Sequence, residues 1–340
     1  MIEFSNIWRE LPDGMKYQFS PSGRSLYYST LDFESGEMKS ISTVRASNGV
    51  DTRIELDGSI TLAAWANDHE ICLTVFHMGE TPEQCKSHLT VVSVLTGEAR
   101  DLMPLTVRSS FAPHHQNNVV SMVEGPPGST SVFEVNVQDG SKTLKPGFSS
   151  AMTGLRVYPA FGHSVSPDGR KIVLAAWPYD YLDEGVEGDE TNSQWSPILD
   201  TPFIANYLVE DENGIMITQR EMAIRARRQK AFRLFILNDD GSRYEVPNTT
   251  KAMRPHWSPD GSLIALQRHE PRNIGVWLHN PNTCETTRLG SSIYGHDPVM
   301  HPSSTLLCQL HDETLPDERL RIRSSQWHAF RLIDGSYMPV

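Results

Sequence analysis

The chain has 340 residues, 38% of them hydrophobic and 9% aromatic, enough to bury a large core in a single domain spanning residues 1–340. Its net charge of −12 and pI near 5.5 argue against a general nucleic-acid binder. No apolar run approaches the length of a membrane span, and the first residues carry Glu3, Arg9 and Glu10 where a signal peptide has its apolar core, which points to the cytoplasm.

Taken in chain order, the elements repeat one layout: a short strand, a Pro/Asp/Gly turn, then a β-rich strand. Phe19-Ser20-Pro21-Ser22-Gly23 precedes a strand at 25–29, Trp65-Ala66-Asn67-Asp68 one at 70–75, and Phe111-Ala112-Pro113-His114 one at 119–122. Ser166-Pro167-Asp168-Gly169 leads into the apolar run 171–177. Val209-Glu210-Asp211-Glu212-Asn213-Gly214 precedes 215–217, Trp257-Ser258-Pro259-Asp260-Gly261 precedes 262–267, and Met300-His301-Pro302-Ser303 precedes 305–308. The turn has a physical logic: Pro presets φ, Asp accepts from a nearby backbone N–H, and Gly takes a positive φ.

The copies recur about every 47 residues, the size of a four-stranded propeller blade. The spacing predicts an all-β, seven-bladed propeller. The alternative is six blades with residues 178–229 as one long insertion. Seven is preferred because Ser166 and Ser258 lie close to two periods apart, and the IMITQR stretch at 215–220 mirrors LIALQR at 263–268. Residues 178–200 are acidic and turn-rich, and read as an insertion or lid loop; residues 179–196 within them could also bind a protein partner. Residues 220–233 are basic. Residues 2–8 are expected to add an outer strand to the last blade beside 327–333 and 336–340, hiding a sheet edge.

The aromatic-Ser-Pro-Asp-Gly pattern resembles the TolB-like propeller repeat, also found in propeller domains of prolyl-oligopeptidase-type peptidases and in oligogalacturonate lyases. The resemblance spans nearly the whole chain and implies fold more than function. The paired, recurring Gly-His and Trp-Asp marks of ordinary WD repeats are absent. There is no Gly-x-Ser-x-Gly, no P-loop, no dinucleotide fingerprint and no His-Glu-x-x-His. The four cysteines form no Cys-x-x-Cys pair, so neither zinc nor a disulfide framework is signalled.

In a propeller the first strand of each blade lines the channel, so residues just before each turn should face it. With Ser20, Ala66, Ala112, Ser166, Glu210, Ser258 and His301 as the anchors of the turns, the residues four positions earlier are Lys16, Leu62, Arg108, Gly162, Asn206, Arg254 and Asp297. One later come Tyr17, His163 and Tyr207, with His256 and His296 nearby. Lys16, Tyr17, Arg108, Arg254, His296 and Asp297 are the candidate ligand-binding residues. The cations suit a carboxylate or phosphate, which Arg grips bidentately. His163, His256 and Tyr207 are the candidate acid–base groups. His114 and His115, on a turn, read as solvent-exposed.

The lyase resemblance implies Mn²⁺ held by His and Gln side chains near the last blades. Here Tyr294-Gly295-His296-Asp297-Pro298 keeps that pattern only in part. His296, Asp297 and His256 are the candidate ligands, and the missing Gln and His weigh against a metal. The expected function is a cytoplasmic propeller binding a small anionic, carboxylate-bearing sugar or metabolite in its funnel, as a lyase or isomerase. The alternative is a non-catalytic interaction scaffold of TolB-like type.

Overall fold

The computed structural model describes residues 15–32, 39–77, 84, 86–105, 109–114, 116–125, 130–157, 162–178, 233–270, 273–289, 294–311, 326–333 and 336–339. Their strands fall into blades of antiparallel neighbours. Blade 1 is β1 (Met15–Phe19), β2 (Ser25–Asp32), β3 (Lys39–Ala46) and β4 (Asp51–Ile54). Blade 2 is β5 (Ser59–Trp65), β6 (Glu70–His77), β7 (Lys86–Ser93) and β8 (Ala99–Leu105). Blade 3 is β9 (Ser110–Pro113), β10 (Val119–Glu124), β11 (Ser131–Asn136) and β12 (Lys142–Leu144). A short helix α1 (Pro146–Ala151), with proline in its first turn, buries Phe148 and Ala151 on the way to blade 4.

Blade 4 has a divided inner strand, β13 (Leu155–Val157) and β14 (His163–Val165), both paired to β15 (Lys171–Pro178), followed by β16 (Arg233–Asn238) and β17 (Arg243–Glu245). Blade 5 is β18 (Ala252–Trp257), β19 (Ile264–Glu270), β20 (Asn273–Asn280) and β21 (Glu285–Arg288). Blade 6 is β22 (Tyr294–His301), β23 (Thr305–His311), β24 (Gln326–Ile333) and β25 (Ser336–Pro339). One parallel bridge, Ile274 to Tyr294, joins blades 5 and 6.

The described blades number six, which corrects the seven-bladed expectation in favour of the six-bladed alternative. β15 pairs directly with β16 from Lys171↔Asn238 to Ala176↔Arg233, so residues 179–232 are inserted inside one hairpin of blade 4. The inner strands then close a ring: β1, β5, β9, β14, β18 and β22 each touch the next, and β22 touches β1. The insertion is about as long as a blade, which is why spacing alone mimicked a seventh repeat.

The core confirms the count. Side chains alternate across each strand, so each blade buries both faces against its neighbours. Tyr27 packs with Trp65 and Leu73 of blade 2, while Tyr28 packs with Val299 and Leu307 of blade 6. Six apolar clusters result, each between two adjacent blades. The outermost strands β4, β8 and β12 are largely exposed. Among the described residues no helix is long and apolar enough to cross a membrane. The closing strand expected at residues 2–8 lies outside the described residues; within them, blade 6 takes all four of its strands from the C-terminal end of the chain.

Candidate ligand site on the channel strands

The turns fold as their residues dictate. In both full copies the serine hydroxyl donates to the aspartate, Ser166 to Asp168 and Ser258 to Asp260, each at 2.6 Å. The same hydroxyls accept from the backbone N–H of Lys171 and Leu263 at 2.9 Å. The glycines sit at φ +71° and +72°, and Gly23 of the relaxed copy at +73°. In blade 6 Ser304 takes that place at φ +60°. Asp168 and Asp260 are held below the usual carboxylate range by their serine and backbone donors.

The inner strand entering each turn is irregular where the sequence placed its candidates. Register slips set Lys16-Tyr17 against Tyr28 alone, Arg254-Pro255 against Leu266, and Asp297-Pro298 against Cys308; β5 slips similarly at Thr61. Two residues facing one is a β-bulge, which kinks the strand and re-aims its side chains. Lys16, Arg254 and Asp297 therefore occupy equivalent bulges of blades 1, 5 and 6. Blade 4 breaks its inner strand between β13 and β14 at the same level.

Arg254 is the most unusual residue of this set. It adopts φ +51°, a left-handed conformation that costs a non-glycine residue about 1 kcal/mol or more. It also precedes Pro255, which favours extended backbone instead. Burial lowers its pKa, and it keeps part of its surface open to solvent. His256, two residues on, is likewise enclosed yet partly accessible, and makes no hydrogen bond with any described residue. Burial, then the charge of Arg254, depress it to about 4, so its imidazole is neutral at pH 7.

His163 is placed differently. It is buried between blades 3 and 4, with Nδ1 2.9 Å from the Ser110 hydroxyl and Nε2 3.0 Å from that of Ser121. Burial pushes it down to about 3, and both ring nitrogens are engaged. Tyr17 is 4% exposed and stacks on Tyr28 at 5.9 Å within the blade 6–blade 1 core. The backbones of Lys16, His296 and Asp297 lie in β1 and β22, and their side chains fall outside the described residues, as do Arg108 and Tyr207 entirely. Of the candidates, Arg254 and His256 are thus brought together. Among the described residues no group of three His, Cys, Asp or Glu could hold a metal.

Other polar residues are used in the seams between blades. Trp65 donates its backbone N–H to Gln18 Oε1 and its indole N–H to the Gln18 carbonyl, tying blade 2 to blade 1. Asn67 donates to Asn118 across blades 2 and 3, and the Ser164 hydroxyl accepts from the Trp257 N–H across blades 4 and 5. His301 Nε2 lies 3.2 Å from the Gly23 carbonyl, joining blade 6 to blade 1. The expectation for His114 is corrected: its side chain is 3% exposed and lies 3.3 Å from Glu134.

No family model and no curated protein matches this chain significantly. Solved structures do. TolB from Acinetobacter baumannii superposes with a TM-score of 0.53 at 12% identity, over 94% of this chain and 64% of that one. The β-propeller domain of the Trilobed protease from Pyrococcus furiosus gives 0.52 at 11% identity, over 97% and 84%. An oligogalacturonate lyase from Vibrio parahaemolyticus gives 0.51 at 12%, over 94% and 78%. The chain is thus a β-propeller similar in fold to TolB and to oligogalacturonate lyase, and it spans less than two thirds of TolB's own length. At these identities the likeness establishes the architecture alone.

Proposed function

We propose that this propeller binds a small carboxylate-bearing ligand, a sugar acid or similar metabolite, at the channel-facing bulge of blade 5. The observation that carries the reading is Arg254: a charged side chain in a strained, left-handed bulge, partly desolvated and beside a neutral histidine. Such strain persists only where the surrounding structure enforces it, and it clusters at functional sites. The guanidinium would take the carboxylate through two parallel hydrogen bonds. Lys16 and Asp297, in the equivalent bulges, would add a second cation and a hydrogen-bond acceptor from neighbouring blades, with Tyr17, Arg108 and His296 beside them.

As a catalyst the site suits elimination or isomerisation. Arg254 would neutralise the carboxylate and so acidify its α-proton, and His256 or Tyr207 would accept that proton. His163, held on both nitrogens, would keep blades 3 and 4 in register rather than move protons. The reading includes a reducing, cytoplasmic compartment, supported by Cys72, Cys284 and Cys308, which are free thiols.

The test is a thermal-shift and calorimetric screen against uronates, small dicarboxylates and their neutral analogues, with and without Mn²⁺. Ligand bound only to the folded state must raise the melting temperature. Arg254→Ala should abolish that shift, while Arg53→Ala, at a side chain 49% exposed on β4, should leave it intact. Equal effects of the two substitutions, or no shift with any acid, would overturn the reading in favour of the interaction scaffold.

A further inference from the structure

We propose that Asn48 is a self-modification site: the backbone nitrogen of Gly49 attacks its side-chain amide, and the residue passes through a cyclic imide to aspartate and isoaspartate. Ring closure needs an unobstructed backbone after the asparagine, and the β3–β4 hairpin of blade 1 supplies it. Asn48, Gly49 and Val50 are all exposed. Gly49 sits at φ +81°, and a Cβ built on it would meet nothing within 4 Å. With no side chain of its own and no neighbour above it, the glycine leaves the attacking nitrogen unshielded.

The turn also presents the electrophile. Asn48 Oδ1 accepts from the Val50 N–H at 3.0 Å, which folds the side chain forward over the Gly49 peptide. The same bond polarises the amide carbonyl. Gly49 donates its own N–H to the Ala46 carbonyl at 2.9 Å. That bond must open before the nitrogen attacks, and an exposed hairpin tip opens locally at little cost. Other asparagines of the chain make the same turn in less reactive settings. Asn67, Asn136 and Asn280 accept from the N–H two residues on at 2.8, 2.9 and 2.9 Å, and all three are half-buried. Asp68 follows the first and the buried Val137 the second, so a side chain crowds each nitrogen. Pro281 follows the third and has no N–H to lose. Among the described residues Asn48 alone precedes a glycine.

In the closing step the Gly49 nitrogen bonds to Asn48 Cγ, and the amide nitrogen leaves as ammonia. Water then opens the ring. Breaking the bond to Cγ gives aspartate on the original backbone; breaking the bond to the main-chain carbonyl gives isoaspartate, with the chain rerouted through Cγ. Either product adds a negative charge to a chain whose net charge is already −12. Isoaspartate also inserts a methylene into the hairpin beside the register pair Arg45↔Asp51. There the Asp51 carboxylate accepts from Arg45 Nε at 2.7 Å and from the Tyr28 hydroxyl at 3.0 Å. The conversion therefore loosens the outer hairpin of blade 1, and it is independent of the channel site on blade 5.

The test is peptide mapping by mass spectrometry of the folded full chain after incubation at pH 7, 8 and 9, with isoaspartate read by enzymatic carboxyl methylation. Mapping also separates Asn48 from Asn213-Gly214, which lies outside the described residues. Asn48 should convert about tenfold faster, or more, than Asn67, Asn136 and Asn280, and within about tenfold of its own rate in the urea-unfolded chain. The rate should rise with pH, because the attacking nitrogen must lose its proton, and both products should appear. Gly49→Ala should slow the reaction. Alanine is strained at this φ and could open the turn, so Asn48→Gln is the second variant. It keeps an amide but requires a larger, slower-forming ring, and should abolish conversion at this position while the far-UV circular dichroism is unchanged. No conversion of the folded chain under conditions that convert the unfolded one would overturn the proposal. So would a rate no greater than at the other three asparagines, or aspartate without isoaspartate, which marks direct hydrolysis.

Discussion

At the scale of single residues, histidine shows how burial divides chemically similar groups between structure and function. His163, His256 and His279 are pushed down to about 3, 4 and 4, and His301 is lowered too, in each case chiefly by burial. An unfolded histidine titrates near 6.5. Below that pH the unfolded chain binds protons that the folded chain refuses, so the stabilisation present above 6.5 is lost as pH falls toward 4. Urea unfolding as pH falls from 6.5 toward 4 should show His163, His256 and His279 each costing at most about 1.4 kcal/mol per pH unit. His163→Gln should flatten part of that slope. It should also cost about 2 kcal/mol at pH 7, by leaving Ser110 and Ser121 poorly paired. For His256 the sign reverses on binding. An anion on Arg254 offsets only the lesser of the two causes that depress His256, burial being the larger, so its pKa rises on binding while the imidazole stays neutral at pH 7. Calorimetry in buffers of different ionisation heat should show no proton uptake at pH 7 and a fractional uptake near pH 5. His163 and His256 were both visible as candidates in the sequence, but their environments were not. The partners of His163 lie 53 and 42 residues away.

At the scale of elements, the turns were legible because each residue type does a local job. Asp260→Ala removes acceptors for Ser258 and Ser262, and should destabilise by about 1 kcal/mol in chemical denaturation. Gly23 combines local and distant demands: its φ is +73°, and a Cβ would collide with the His301 ring of blade 6. Gly23→Ala should therefore cost more than Gly49→Ala, which shares a positive φ, +81°, but meets nothing within 4 Å. The difference measured by denaturation isolates the blade 6–blade 1 contact. The bulges leave only a faint local trace, X-Pro at Arg254-Pro255 and Asp297-Pro298, since proline in a sheet sits at edges and bulges. Helix α1 leaves no pattern in the sequence because six residues are too few for a helical period.

At the scale of the whole molecule, the decisive fact is that β15 and β16 pair across the long insertion. Replacing residues 179–232 with a short Gly/Asn turn should leave the ring closed. Far-UV circular dichroism should keep its β signature, and unfolding should stay cooperative; collapse into an aggregating or molten species would mean the segment belongs to the ring. The repeat period and the turn chemistry were enough to determine a propeller, because alternation and turn preference act over a few neighbouring residues. The number of blades was decided only in three dimensions, since an insertion of about one period is indistinguishable from a repeat until strand pairing and the six inter-blade cores are seen. So too with the site. Residue types and spacing put Arg254 and His256 on one inner strand, whereas the engagement of His163 in a seam and the burial of His114 depend on contacts between strands and blades that no local pattern encodes.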